Sequence, residues 1–159
     1  MRILFSLLGL LAGACTVYEG LGLKPGVASE NDVRRTMGQP ALEMANPDGT
    51  RNMAYPRGPF GTQTLMVQLG RDGMLQAIHP VLNEDNFYRI QQGQSRDDVL
   101  RLIGPPVETM DFPRLQQQAW DYRFQDTWGY VAIFSVMFDR QGKVVGKVTR
   151  RLERDRPSR

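Results

Sequence analysis

Apolar side chains recur along this chain in two rhythms. At Leu65, Val67 and Leu69, and again at Trp120, Tyr122 and Phe124, they alternate with other residues, which predicts half-buried strands. At Val99, Leu102 and Ile103 they fall at i, i+3 and i+4, which predicts a short helix with one apolar face. That helix carries its own punctuation. Ser95 offers a hydroxyl to an unpaired N–H of the first turn, and Asp98 completes a capping box. Asp97 and Asp98 put negative charge at the positive end of the helix dipole. Gly104 can take the left-handed C-terminal conformation, and Pro105 and Pro106 forbid continuation.

The same arrangement occurs earlier. Ser29 corresponds to Ser95, Asp32 to Asp98, Val33 to Val99, Gly38 to Gly104 and Pro40 to Pro106. The correspondence continues through Tyr55 and Tyr122, through Leu65, Val67 and Leu69 against Phe134, Val136 and Phe138, and through Gly73 and Gly142. Order and spacing held over so many positions indicate an internal duplication of roughly 65 residues.

Between these landmarks, Ala41 to Arg51 reads as a polar segment with a turn signal at Asn46-Pro47-Asp48-Gly49. Asn52 to Tyr55 reads as a short edge strand, open to pairing between chains. Pro56 to Gly61 is a loop carrying Phe60. Gly70 to Gly73 turns the strand at 64–69 back into one at 74–78, ended by His79-Pro80. In the second unit Asn83 caps a helix bearing Phe87 and Ile90, with no clear counterpart in the first. Glu108 to Gln117 reads as a polar loop, and Tyr130 to Phe138 as a long strand apolar on both faces. The predicted fold is α+β: two tandem repeats, 24–80 and 83–149, each with one or two short helices packed on a three-stranded antiparallel sheet. A basic tail, 150–159, follows.

The N-terminus has a different character. Arg2 precedes an apolar run, Ile3 to Leu11, too short to span a bilayer. Residues 1–14 therefore read as a signal peptide, followed by a tether over 15–23. Leu11-Ala12-Gly13-Ala14-Cys15 is similar to a bacterial lipobox, in which the cysteine is lipidated after cleavage. Ala12-Gly13-Ala14 equally satisfies an ordinary A-x-A cleavage site, which would leave a soluble periplasmic chain. We favour lipidation, because it gives the chain's one cysteine a purpose. In lipoproteins of this kind, Thr16 in place of aspartate points to the outer membrane.

Composition narrows the chemistry further. The net charge is +3, and one cysteine with one histidine makes neither an internal disulfide nor an ordinary zinc site. The serines at 29 and 95 are caps, His79 reads as structural, and Asp97 and Asp98, as helix neighbours, do not face each other. No phosphate loop and no G-x-S-x-G motif is present. These features predict no catalysis, no metal, no small-molecule substrate and, for an exported chain, no nucleic acid. Protein binding is the stronger expectation. Phe60, Trp128 and Tyr130 sit at loop edges, and Arg150 and Arg151 lie beside aromatic strands. The aromatics serve either as anchors for a partner or as packing in the seam between repeats.

The pattern Gly-x-Ser-x-x-Asp-Val-x-x-x-x-Gly-x-Pro, followed by Trp120-Asp121-Tyr122 and a strand ending at Phe138-Asp139-Arg140-Gln141-Gly142, resembles the SmpA/OmlA (BamE-like) family of outer-membrane lipoproteins. The resemblance covers residues 83–149 well and 24–78 more loosely, where Met53 stands in the tryptophan's place. It implies tandem BamE-like repeats on the periplasmic face of the outer membrane. They would be held by a lipid on Cys15, with no other cofactor, and would act as a non-catalytic scaffold among envelope or outer-membrane assembly proteins. A tandem pair of helix–helix–sheet units also resembles the architecture of β-lactamase inhibitory protein. The alternative it implies is a soluble periplasmic binding or inhibitor module that grips a protein with a concave double sheet.

Overall fold

The computed structural model describes residues 22–57 and 61–152. Residues 1–14, read from the sequence as a signal peptide, Cys15, most of the segment read as a tether, Phe60 and the residues from 153 onward lie outside the described residues. The elements run α1 (Glu30–Met37), β1 (Leu42–Ala45), β2 (Arg51–Pro56), β3 (Thr64–Leu69), β4 (Leu75–Pro80), α2 (Glu84–Arg89), α3 (Arg96–Ile103), β5 (Glu108–Phe112), β6 (Gln117–Gln125), β7 (Val131–Phe138) and β8 (Val144–Arg151). The strands form two separate antiparallel sheets, ordered β1-β2-β3-β4 and β5-β6-β7-β8.

The α+β class holds, and each sheet has a fourth strand where the sequence predicts three. The additions are β1 and β5, from the segments read as polar. Both are edge strands. β5 has no fully buried position, and β1 alternates half-buried with exposed ones, so neither carries the buried positions of a core strand. Their presence also corrects the reading of 52–55 as an edge, because β2 lies between β1 and β3.

Both long helices are built alike. Ser29 accepts the Asp32 N–H at 3.3 Å and donates its hydroxyl to Asp32 Oδ2 at 2.7 Å. Ser95 and Asp98 repeat this at 3.2 and 2.7 Å. In each helix the carboxylate also accepts the cap's own N–H, so the capping box closes. The helix ends are tied to the sheets in parallel ways. The Tyr55 hydroxyl donates to the Gly38 carbonyl, and the Tyr122 hydroxyl to that of Gly104, both at 3.2 Å. Isolated bridges join Ser29 to Met74 and Ser95 to Lys143. Register irregularities fall at Gln68/Leu69 and Met137/Phe138.

The core lies between each helix layer and one face of its sheet. Val33 meets Met53, Tyr55, Leu65, Val67 and Leu69. Val99 and Ile103, with Phe87 of α2, meet Trp120, Tyr122, Phe134, Val136 and Phe138. On the second face of the first sheet, Leu42, Ala54, Met66 and Val81 form a smaller cluster. The C-terminal end of α3 lies against that face. Asn52 Nδ2 donates to the Arg101 carbonyl at 3.4 Å, and a Cβ at Gly104 would stand 3.1 Å from Thr64 Cγ2 and 3.2 Å from Ala54 Cβ.

Candidate interaction surface

Two exposed aromatics, Trp128 and Tyr130, sit at the tip of the β6–β7 hairpin, and a third, Tyr88, lies on α2. β6 and β7 pair along their whole length, from Gln118 with Phe138 to Gln125 with Val131, and their core-facing aromatics fix the hairpin on the helices. Asp126 then organises the turn. Its N–H donates to the Tyr130 carbonyl and its own carbonyl accepts the Gly129 N–H, both at 2.9 Å. Its carboxylate accepts the N–H groups of Trp128 and Tyr130, again at 2.9 Å, and the Arg151 Nε at 2.6 Å. Gly129, at φ +80°, takes the left-handed conformation that closes the turn. Burial pushes the Asp126 carboxyl up. The bonds from Tyr130, Arg151 and Trp128 outweigh it and hold the group below the ordinary carboxylate range. Asp126 is therefore an ionised keystone at neutral pH.

The result is a fixed display. Trp128 is 77% exposed, and Tyr130 is 45% exposed with the Arg151 guanidinium 5.0 Å from its ring centroid. Aromatics and arginine are the residue types enriched in protein-binding anchors, and here the backbone that carries Trp128 and Tyr130 is fixed by Asp126. The end of α3, by contrast, meets Ala54 and Thr64 of the first sheet.

The structure thus brings together Trp128, Tyr130 and Arg151. Arg150, paired with Ile133, projects from the opposite face of the sheet. Phe60 and Cys15 lie outside the described residues. Asp126 was missed by the sequence reading. Its signal is the Asp-x-x-Gly turn at 126–129, which reads as ordinary turn chemistry until the strand pairing delivers Arg151 to it.

Three other polar residues have structural places. His79 sits in β4 opposite Met66, and desolvation holds its imidazole pKa below the usual value. Asp98 is a cap. Arg96 spreads over the rings of Trp120 and Phe138, 5.9 and 5.4 Å from their centroids, and donates to Gln118 Oε1 at 3.3 Å. Among the described residues no cluster of His, Cys, Asp and Glu could hold a metal ion, and no helix is long and apolar enough to cross a membrane.

Residues 80–147 match the family model for the outer membrane protein assembly factor BamE domain. That span runs from the end of β4 into β8 and takes in the whole β6–β7 hairpin. No curated protein matches the chain. Two solved structures are distantly similar. A putative beta-lactamase inhibitor protein from Streptococcus mutans shares 13% identity over 79% of this chain and 84% of that one, with a TM-score of 0.32. A DUF4309 family protein (YjgB) from Bacillus subtilis shares 12% identity over 82% and 83%, also at 0.32. Likenesses at this level carry no functional argument.

Proposed function

We propose that the chain is an outer-membrane-anchored periplasmic lipoprotein that acts as a non-catalytic interaction module in envelope or outer-membrane protein assembly. The observation that carries this reading is the correspondence of residues 80–147 with the outer membrane protein assembly factor BamE domain. The N-terminal sequence supports the anchor. A charged start, a short apolar run and small residues lead to Cys15, whose thiol would carry a diacylglycerol and whose new amine an acyl chain. The hairpin tip, with Trp128 and Tyr130 held by Asp126 and Arg151, is the contact surface we assign to protein partners.

We further propose that units 24–80 and 83–149 arose by duplication. The matching caps, the matching tyrosine-to-glycine bonds and the matching register irregularities support this. A retained second copy widens the surface a scaffold can present without adding chemistry.

The intact mass of the mature protein from the membrane fraction tests the anchor. The expected mass is that of residues 15–159 plus a diacylglycerol and an acyl chain, and Cys15→Ser should release the protein from the membrane. An unmodified chain beginning at Cys15 would sink the anchor and leave the soluble binding or inhibitor module in its place.

A further inference from the structure

The sheet of the second unit ends in β8, and the hydrogen-bond parity of that strand can be read from its far end. The Leu152 N–H donates to the Val131 carbonyl at 2.9 Å. Backbone groups alternate sides along an antiparallel strand. Val148, Arg150 and Leu152 therefore bond to β7, whereas Lys147, Thr149 and Arg151 turn their N–H and C=O groups outward. Nearer its start the outward side is already occupied. The Gly93 N–H donates to the Val144 carbonyl and the Val144 N–H to that of Gln94, both at 2.9 Å, and Gln92 Nε2 donates to the Val145 carbonyl at 2.9 Å. That cover stops at residue 145. Among the described residues no hydrogen bond reaches the outward backbone groups of Lys147, Thr149 or Arg151, and residues 147–151 are all exposed.

An open edge is a template for another strand, and its charge decides which. Lys147, Arg150 and Arg151 stand in this stretch with no acidic residue among them. Pairing with a second β8 would set cation against cation, which opposes self-association. On the helix side, a groove of about 400 Å³ runs between α2 and β8, with Phe87, Tyr88 and Phe134 as its apolar lining and Glu84, Lys147 and Thr149 as its polar rim. Its walls are fixed. The Lys147 ammonium donates to the carbonyls of Phe87, Tyr88 and Ile90 at 2.9, 3.2 and 2.6 Å, and Arg151 is held by Asp126. On the other face Arg150 has no acidic partner among the described residues.

We infer that β8 docks an extended acidic segment of a partner protein as a fifth strand. One set of its alternating side chains is apolar and enters the α2–β8 groove. The other set is acidic and passes Arg150. This gives a partner chemistry to the interaction module proposed above and rests on that reading, but it uses no lipid, so its failure leaves the mass measurement's answer standing.

The test is a titration of the full chain, purified in detergent, with a synthetic peptide alternating valine and glutamate. A valine–lysine peptide serves as counter-probe. The glutamate peptide should bind and slow amide hydrogen exchange at Lys147, Thr149 and Arg151, and the lysine peptide should not. Arg150→Glu should weaken binding by about tenfold or more. Thr149→Pro removes an outward N–H without touching the β7 ladder and should abolish the protection. If that variant fails to fold, Arg150→Glu carries the test alone. Failure of the glutamate peptide to bind, protection confined to other amides, or equal binding of both peptides would overturn the proposal.

Discussion

In the first unit α1 sits on a mainly aliphatic layer, with Val33 over Met53, Leu65, Val67 and Leu69 and Tyr55 as its aromatic member. In the second, α2 and α3 sit on an aromatic one, in which Phe87 stacks on Phe134 at 4.0 Å and Trp120 tilts against Phe138 at 4.7 Å. The scaffolds agree, but the surroundings differ. The far face of the first sheet meets the end of α3, whereas the far face of the second leaves Met110, Val131 and Val148 exposed. The free edges differ in the same sense. β4 ends at Pro80, which cannot donate to a further strand, and β8 runs on through five consecutive exposed residues, 147–151. The first sheet takes the end of α3 on its far face, whereas the second keeps the β8 edge, its hairpin tip and its far face exposed. The span that matches the BamE domain falls on the second unit.

The sharpest test of this contrast is whether the units unfold together. Both tryptophans, Trp120 and Trp128, belong to the second unit, so fluorescence reports on that unit while far-ultraviolet circular dichroism reports on both. Phe134→Ala should cost about 3–5 kcal/mol and Leu65→Ala about 2–5 kcal/mol. Because the end of α3 is lodged against the first sheet, Leu65→Ala should lower the urea midpoint seen by fluorescence as much as that seen by circular dichroism. A fluorescence transition left in place by Leu65→Ala would mean two independent domains.

A smaller effect isolates the seam itself. Gly38 and Gly104 end equivalent helices at φ +84° and +79°, so alanine is strained at either. A Cβ at Gly38 would meet nothing within 4 Å, but one at Gly104 would crowd Thr64 and Ala54. Gly104→Ala should therefore cost about 1–3 kcal/mol more than Gly38→Ala, the usual range for overpacking. Equal costs in urea melts would mean that the seam yields freely. Smaller again is the loss of the tyrosine hydroxyls, about 0.5–1.5 kcal/mol each. Tyr122→Phe should exceed Tyr55→Phe, because Tyr122 is 1% exposed against 5% and leaves the Gly104 carbonyl without replacement water.

Much of this comparison was legible in the sequence, because its markers are local. A cap, a helix-ending glycine and a run of alternating apolar residues each specify backbone conformation within a few positions. The correspondence of Leu65, Val67 and Leu69 with Phe134, Val136 and Phe138 reappears in the pairings of Tyr55 with Leu65 and Tyr122 with Phe134. The edge strands were hidden because neither has a fully buried position to mark it. Nothing in Glu108 to Phe112 announces a strand until β6 offers its free side. The candidate interaction surface was half legible. Trp128 and Tyr130 stand out as aromatics beside a turn. Arg150 and Arg151, however, look alike and read as the start of a tail, and only the two-residue period of β8 sends one to Asp126 and the other to the opposite face.

The smallest predicted difference lies in how the two long helices are fastened to their sheets. At the first helical position α1 has Glu30, whose carboxylate bonds Arg51 of β2 as well as Arg34, and α3 has Arg96, stacked on Trp120 and Phe138. The bond to Arg51, with that to Arg34 second, holds the Glu30 carboxyl below its ordinary value. Asp32 and Asp98 are also held low, chiefly by the serine hydroxyls they accept. A carboxylate whose pKa is depressed by folding stabilises above its unfolded value and loses that contribution as pH falls through the folded one. Both caps should therefore weaken below about pH 4, near the unfolded range of carboxylates. The fastening of α1 should weaken with them, while the cation–aromatic contact of α3 persists. Urea midpoints followed from neutral to acid pH should show a shallower acid decline for Glu30→Gln than for the native chain. Arg96→Met should lower the midpoint at every pH without changing that slope. An unchanged slope in Glu30→Gln would mean that the ion pair with Arg51 is too well solvated to fasten anything, and that the aliphatic layer alone holds α1 in place.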